Sequence, residues 1–522
     1  MAEDLNEEYD VVVVGTGLTE CILSGVFGSE GKKVLNIDAN SYYGGESASL
    51  NMFDMWKKFR WTEDQRRKEE ERKKEIERLE NEERESEEKR RAAAKAAGDD
   101  NYKAAPKAPR PEQVGPNPPE VFGKDARAWN QWHISLTPKF LMADGELTRI
   151  LHQTGVTQYI DLLSVHGSFV VKKGVPSRVP STRGQAVTSP LVSAMQKYYM
   201  QNFLQFIASY KEDDPTTHKK GLNLDQNTMK EAYEIFGLDA WTSEFIGHAM
   251  ALYAEDSYLD KPAREPIERI ILYVKSMARF GNSPYIFPLY GLGELPERFS
   301  FLSAVYGGTY ALNTPLKEIL YGDDGKVSGV RFPHPITKED TVVKTKKVIA
   351  DPTYFLGEEN RIRKVGQLVR AICVLQHPVE GTDGAESAQI IIPASQMGRK
   401  NDIYISVLSS VFNVCPKGHY LASVSTMIEN PDGGNPHSEL EPGFERLGLA
   451  SGRLGEKEEK FIQVVDLYEP IEDGTRDNVF ISRSYDATTH FETCTDDVKD
   501  IYKRVEGKDL VIKERKEKVV EE

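Results

Sequence analysis

The stretch Tyr9-Asp-Val-Val-Val-Val-Gly-Thr-Gly-Leu-Thr-Glu20 decides the fold. The run Val11–Val14 has no polar face to leave in water, so it reads as a parallel strand buried on both sides. It leads directly into Gly15-Thr-Gly17 and a helical segment. Strand, Gly-x-Gly turn and helix bring backbone N–H groups and a helix N-terminus toward a pyrophosphate. A second apolar strand, Val34-Leu-Asn-Ile37, ends at Asp38, about 20 residues on, where a ribose-binding acid belongs. The chain therefore starts as a Rossmann-like βαβ unit.

Three places spoil the dinucleotide fingerprint. Its third position is Glu20, and the later doublet Gly44-Gly45 is followed by Glu46, whereas a diphosphate seat favours cationic or backbone donors. The buried strand Lys347-Val-Ile-Ala350 then ends in Asp351-Pro352, where proline removes an N–H. Glu20 has a second reading, since an acid in the first helical turn complements the macrodipole. On either reading a large side chain stands where helix and strand should pack closely.

Outward from this unit, 522 residues exceed one ordinary core, so at least two domains are expected. The composition is globular, with 39% hydrophobic residues. A net charge of −15 argues against a nucleic-acid partner. Cys21, Cys373, Cys415 and Cys494 lack metal-type spacing and read as free thiols of a reducing compartment. No metal site is expected. No signal peptide, membrane span, prenylation cysteine or P-loop is found, so a soluble, cytosolic protein that is not itself a GTPase is expected.

From Glu63 to Arg91 nearly every residue is Glu, Lys or Arg, which predicts a solvated helix held by i,i+4 pairs, with partner binding as the other reading. Lys103 to Glu120, rich in Pro and Ala, reads as an extended linker. From about Gln185 to Ala278 apolar residues recur at helical spacing. Leu191, Met195, Tyr198, Met200, Phe203, Phe206 and Ile207 form one stripe, and Phe245, Ile246, Ala249, Met250 and Leu252 another. Glu318–Tyr321 and Val327–Phe332 read as a hairpin, with further strands at Ser168–Lys172, Gln389–Val414 and Lys460–Ser482, and a helix around Thr495–Val505.

No catalytic constellation emerges, and His248 and His490 read as satisfied structural histidines. The loop Leu289–Pro296 combines restricted and permissive backbones and presents Tyr290 and Glu294. Two classes compete on these residues, a flavin- or nicotinamide-dependent oxidoreductase and a binding protein that reuses the fold without its cofactor. The three carboxylate sites favour the second.

Seven segments carry a resemblance: Val14–Ser24, Tyr42–Ser47, Pro138–Met142, Ser283–Tyr285, Pro288–Pro296, Tyr306–Tyr310 and Tyr485–Glu492. In this order they closely resemble the Rab GDP-dissociation inhibitors. The resemblance implies an α/β (α+β) fold: a flavoprotein-monooxygenase-like Rossmann domain lacking FAD, plus a smaller all-helical domain. The large domain would comprise 1–60, 125–181 and 279–510, the charged insertion 61–124, the helical prenyl-binding domain 182–278 and a charged tail 511–522. The implied protein is not an enzyme and has no cofactor. It binds GDP-bound prenylated Rab GTPases, slows GDP release, and extracts them from membranes to recycle them through the cytosol. It is a monomer, cytoplasmic and transiently at membranes.

The family's Rab-binding residues would fall on Tyr43, Glu294 and Thr309, with Phe301 and Ala311 where an arginine and a methionine are usual. Its mobile loop would fall on Ala254, Glu255, Asp256, Ser257 and Tyr258, with Ala254 replacing an arginine. Walls of the geranylgeranyl pocket would include Leu191, Met195, Phe203, Phe245 and Ala249. Gly15, Gly17, Glu20 and Asp38 would be a vestigial dinucleotide motif. The insertion keeps a second reading open, a Rab escort protein that presents Rabs to the prenyl transferase, and an oxidoreductase stays as the remote alternative.

Overall fold

The structure is a computed structural model that describes residues 5, 7–96, 111, 113–181, 183–431, 434–449 and 458–512. Half of the expected linker, 103–110 and 112, and the tail beyond Ile512 lie outside the described residues. The described chain forms two compact units, Leu50–Trp132 and the remainder.

The remainder is built on the predicted βαβ unit. Val11–Val14 and Val34–Ile37 pair in parallel and are completely buried. Thr309–Ala311 extends the sheet on one side, and Val348–Ala350 and Val479–Ile481 on the other, giving five parallel strands. The helix Leu18–Ser29 between the first two strands is buried along nearly its whole length. The side chains of Val12, Val14, Leu35, Ile37 and Val348 share one core with the four-stranded sheet, which contains the predicted hairpin Glu318–Tyr321/Val327–Pro333.

A seven-stranded sheet carries the second core. Its order is Glu459–Pro470, Ile362–Leu375, Tyr420–Met427, Ile403–Ser409, Ser387–Ile392, Gly167–Lys172, Val175–Arg178. It is antiparallel except where Ser387–Ile392 runs parallel to Gly167–Lys172. The long strand Ile362–Leu375 and Tyr420–Met427 carried no expectation from the sequence. Their polar residues Arg370, Ser423 and Ser425 alternate with apolar ones, a strand pattern that went unmarked.

The expected helical region is helical. Ala194–Ser209, Met229–Phe236, Ala240–Ala249 and Arg264–Phe280 are its main helices. Met229–Phe236 begins at a capping box of Thr228 and Glu231 and stops at Gly237, whose φ of 73° suits a left-handed C-cap. Among the described residues no helix is long and apolar enough to cross a membrane. All four cysteines are buried free thiols.

In the Leu50–Trp132 unit the charge run forms one helix, Glu63–Ala96. This unit is wider than the 61–124 insertion read from composition, because aromatic side chains flanking the charge run supply its packing. Phe53 packs on Trp61 and Trp129 at ring distances of 5.7 and 5.3 Å. Trp61 donates Nε1 to the Pro116 carbonyl at 2.8 Å. A Cβ on Gly115 would lie 2.3 Å from the Trp61 ring, so only glycine fits there. The helix is held at this end by Glu69, which is 1% exposed and accepts from the Arg72 guanidinium and the Val114 N–H.

Candidate functional site

The glycine turn is folded as a dinucleotide cradle and filled by the protein itself. Gly15 has a φ of 105°, and its N–H donates to the Ile37 carbonyl. Leu18 N–H, at the start of the helix, donates to the Tyr485 hydroxyl at 2.9 Å, so a donor that would face a phosphate is taken. Glu20 is 1% exposed, and a Cβ on Gly17 would meet its Oε2 at 2.4 Å. The carboxyl thus occupies the space above Gly17, where Ser482 Oγ donates to its Oε1 at 2.6 Å. Burial and then the neighbouring Asp351 push its pKa up to about 8.

Asp38, in the ribose position, is likewise consumed. It accepts from Thr16 Oγ1 at 2.6 Å, Asn40 N at 2.7 Å and Tyr354 Oη at 3.2 Å. The space left between Glu20, Glu46, Asp351 and Tyr485 is about 30 Å³, room for roughly two waters. A diphosphate would meet three carboxylates and find its helix-end donor engaged. Gly15, Gly17, Glu20 and Asp38, as they stand, do not fit a dinucleotide.

A short distance along the same sheet lies a face of exposed aromatic groups. Tyr43 is half-buried, its ring 5.8 Å from Tyr310, and its hydroxyl lies within the influence of Glu297 and Ser300 on the helix Glu294–Val305. Burial pushes the Tyr43 pKa up. Glu294 opens that helix, where its charge suits the macrodipole, and accepts from Arg298 Nη2 at 2.6 Å. Thr309 begins the edge strand of the parallel sheet, next to Tyr310. Tyr43, Glu294 and Thr309 therefore come from three elements packed side by side.

Phe301 belongs to this face. It is 46% exposed and meets Tyr159 edge-on at 5.3 Å, with Val305 and Tyr306 exposed one turn on. Ala311 does not belong: its methyl is 2% exposed and sits in the core beneath the sheet, so it presents nothing outward. Tyr290 is exposed on its rigid loop, as expected, with a left-handed φ of 65° that a bulky side chain rarely adopts. The next residue, Gly291, is also left-handed, and a Cβ there would crowd Ser49 Oγ at 2.7 Å. Tyr159 and Glu297 were not marked in the sequence, where no local pattern singles out either.

The segment expected to move has contacts at several points. Tyr258 is 1% exposed and stacks on Tyr253 at 4.3 Å. Asp402 N–H donates to the Ala254 carbonyl at 3.1 Å, and Asp256 meets His248 Nε2 at 3.0 Å. His248 Nδ1 reaches Asp402 at 2.7 Å. Burial works against the imidazolium, but the hydrogen bonds to Asp256 and Asp402 outweigh it and raise the His248 pKa to about 10. Glu255 and Ser257 hydrogen-bond each other on the exposed side.

Of the pocket-wall candidates, Leu191, Phe203, Phe245 and Ala249 are buried between the helices. Phe203 packs edge-on against Tyr233 and Phe236. Met195 is 65% exposed on its helix and forms no wall. A cavity of about 280 Å³ opens instead beside Met142, Met250, Ala251, Leu252 and Leu272, the second stripe supplying Met250 and Leu252.

The sequence profile described as GDP dissociation inhibitor matches residues 5–78 and 110–517. The chain belongs to the GDP dissociation inhibitor family. The "Rab GDP-dissociation inhibitor" of Saccharomyces cerevisiae is 48% identical over 517 residues, covering 99% of this chain and 98% of that protein. The "Probable secretory pathway GDP dissociation inhibitor 1" of Schizosaccharomyces pombe is 47% identical over 511 residues, covering 98% and 99%. The crystal structure of a Rab GDI from Plasmodium falciparum superposes with a TM-score of 0.77 at 36% identity, covering 97% of this chain and all of that one. An oxidoreductase from Methanosarcina mazei, at 13% identity and a TM-score of 0.54, shares the fold alone. The family profile skips 79–109, within the charged insertion.

Proposed function

We propose that this protein binds prenylated, GDP-loaded Rab GTPases, slows their GDP release, extracts them from membranes and carries them through the cytosol. The observation that carries this reading is the half-buried Tyr43 with the exposed Phe301 and Tyr306 beside Glu294 and Thr309, in a chain whose relatives bear the Rab GDP-dissociation inhibitor name. Such a face, apolar at its centre and edged by charge, suits a protein partner better than a small substrate. The role is regulatory, and the closed cradle argues against the oxidoreductase alternative. The relatives' name favours an inhibitor over an escort protein.

Extraction needs a refuge for the lipid. A geranylgeranyl chain has ~20 carbons, and each buried CH₂ is worth about 0.8 kcal/mol, so transfer from a bilayer approaches balance only in an apolar groove. We place that groove among the helices that carry Phe203, Phe245 and Ala249, with Leu191 in the link before the first of them. These helices are closed in this structure, and lipid entry would require them to part. Contacts made only to the GDP-bound switch conformation would give nucleotide selectivity without chemistry. The protein acts as a monomer at transient membrane contacts.

The test is binding of a doubly prenylated Rab in both nucleotide states. The GDP form binds at least about tenfold more tightly than the GTP form, a difference of roughly 1.4 kcal/mol. Equal affinities would remove the reading.

A further inference from the structure

The 280 Å³ cavity has a chemistry that the GTPase-binding reading leaves unused. Besides its apolar residues it is lined by Glu146, Glu265, Glu268, Glu492 and Asp496, with Arg269 the one strong base among the described residues that line it. Arg269 Nη2 pairs with Glu265 at 2.8 Å, and Glu146 pairs with Arg149 and with Lys499 Nζ at 3.5 Å. Glu268 and Asp496 stand exposed at the mouth. The cavity is negative after its internal pairs are counted.

Its floor holds a second, independent signal. His490 is 2% exposed, lines the cavity, and neither ring nitrogen has a hydrogen-bond partner. The Leu252 backbone influences the ring but falls outside hydrogen-bonding geometry. Glu492 Oε1 is buried beside it, also unpartnered. Leaving such groups unpaired costs about 1–3 kcal/mol each, so the expectation of a satisfied structural histidine is not met. Burial lowers the His490 pKa to about 4, with Asp486 opposing and Lys139 and Arg269 assisting. The ring is neutral, and one nitrogen is an open acceptor.

We propose that this cavity binds an aliphatic ammonium, its hydrocarbon stem along Met250, Leu252 and Leu272, and its –NH₃⁺ donating to a His490 ring nitrogen and to Glu492. An anion would be repelled by the carboxylates. No group of three or more side chains able to hold a metal ion exists among the described residues. A guanidinium is matched best by a bidentate carboxylate, whereas a ring nitrogen and a carboxyl oxygen on separate side chains suit an ammonium with three rotatable donors.

Burial pushes the Glu492 pKa up to about 7. The nearby Glu146 backbone N–H, outside hydrogen-bonding geometry, and the charge of Arg149 pull it down, and the charges of Asp496 and Glu146 add to the rise. A bound cation discharges that proton, so affinity rises with pH through about 7.

The full-length protein is titrated by calorimetry at low salt with hexylammonium and with 1-hexanol. Hexylammonium binds one to one, at least about tenfold tighter than the alcohol, weakens as salt is added, and binds tighter at pH 8 than at pH 6. Glu492→Gln weakens binding about fivefold and flattens the pH dependence. The exposed double variant Glu268→Gln/Asp496→Asn, which leaves the floor intact, weakens it about threefold and decides the matter if Glu492→Gln does not fold.

Equal binding of 1-hexanol, no binding of hexylammonium, or no effect of the double variant would overturn the proposal. Two further arms assign the source of the ammonium. Tighter binding of spermidine assigns a free polyamine, and tighter binding of an acetylated, amidated Gly-Lys-Gly peptide assigns a lysine side chain. Binding of neither would count against the site.

Discussion

Glu20 shows how one carboxyl turns a cofactor seat into core. Its pKa of about 8 lies far above its ordinary range, so the folded protein holds a proton there that the unfolded chain releases. Stability therefore falls as pH rises from about 4.3 toward 8. Glu20→Gln removes the titration. Its Tm equals that of the wild type near pH 5 and exceeds it by at least about 2 °C at pH 8.5, read by calorimetry. A constant Tm difference across this range would mean that Glu20 is ionised in the fold. On the aromatic face, Tyr43→Ala lowers GDP-Rab affinity about tenfold with little change in Tm, because the ring is only half-buried against Tyr310. An unchanged dissociation constant would place the partner elsewhere. Glu20 was legible as an intruder in a Gly-x-Gly motif. Tyr485, which takes the Leu18 N–H, was not, since 467 residues separate the pair and no local pattern links them.

At the scale of elements, the loop Asp256–Asp260 and the helix Ala240–Ala249 are joined by His248 between two carboxylates. The raised His248 pKa means that this clamp is fully present below about 6.5 and is lost as pH rises through about 10. Asp256→Asn removes one of the two partners and lowers that upper limit. Amide exchange across 256–260, corrected for its intrinsic base catalysis, accelerates at a lower pH in the variant. Matching profiles would show that His248 does not hold the loop. The spacing of His248 from Asp256 suggested nothing, and Asp402 is 154 residues away in another element. The charged helix behaves oppositely, because its i,i+4 pairs are local and could be read directly. Deleting residues 79–109, which the family profile skips, leaves GDP-Rab affinity within about twofold. A tenfold loss would assign the arm to partner binding.

For the whole molecule, the closed cradle sets what the scaffold can bind. Adding ~100 μM FAD shifts the Tm by less than about 1 °C, since a ligand without a site contributes no binding free energy to the folded state. A shift of several degrees, or a yellow purified protein, would show that the cradle opens. The second core illustrates the limit of pattern reading at this scale. Val369, Ala371, Cys373 and Leu375 face it, but the intervening Arg370 is also buried, donating to the Leu136 carbonyl and to Thr137 Oγ1. At the alternate position an arginine reads as solvent-facing, and what lets it be buried, partners more than two hundred residues away, has no local signal.

The sequence by itself determined the parallel βαβ unit, the amphipathic helices and the solvated charged helix, because each is encoded in neighbours along the chain: an unbroken apolar run, a 3.6-residue stripe, paired charges four apart. It also revealed that a carboxylate stood in the phosphate seat. Only the tertiary structure decided that Tyr485 and Ser482 close the seat, that Ala311 turns inward while Phe301 turns out, that Met195 forms no wall, and that His490 faces a cavity without a partner. Burial and hydrogen-bond satisfaction are properties of what surrounds a side chain, and that surrounding is assembled from segments hundreds of residues apart.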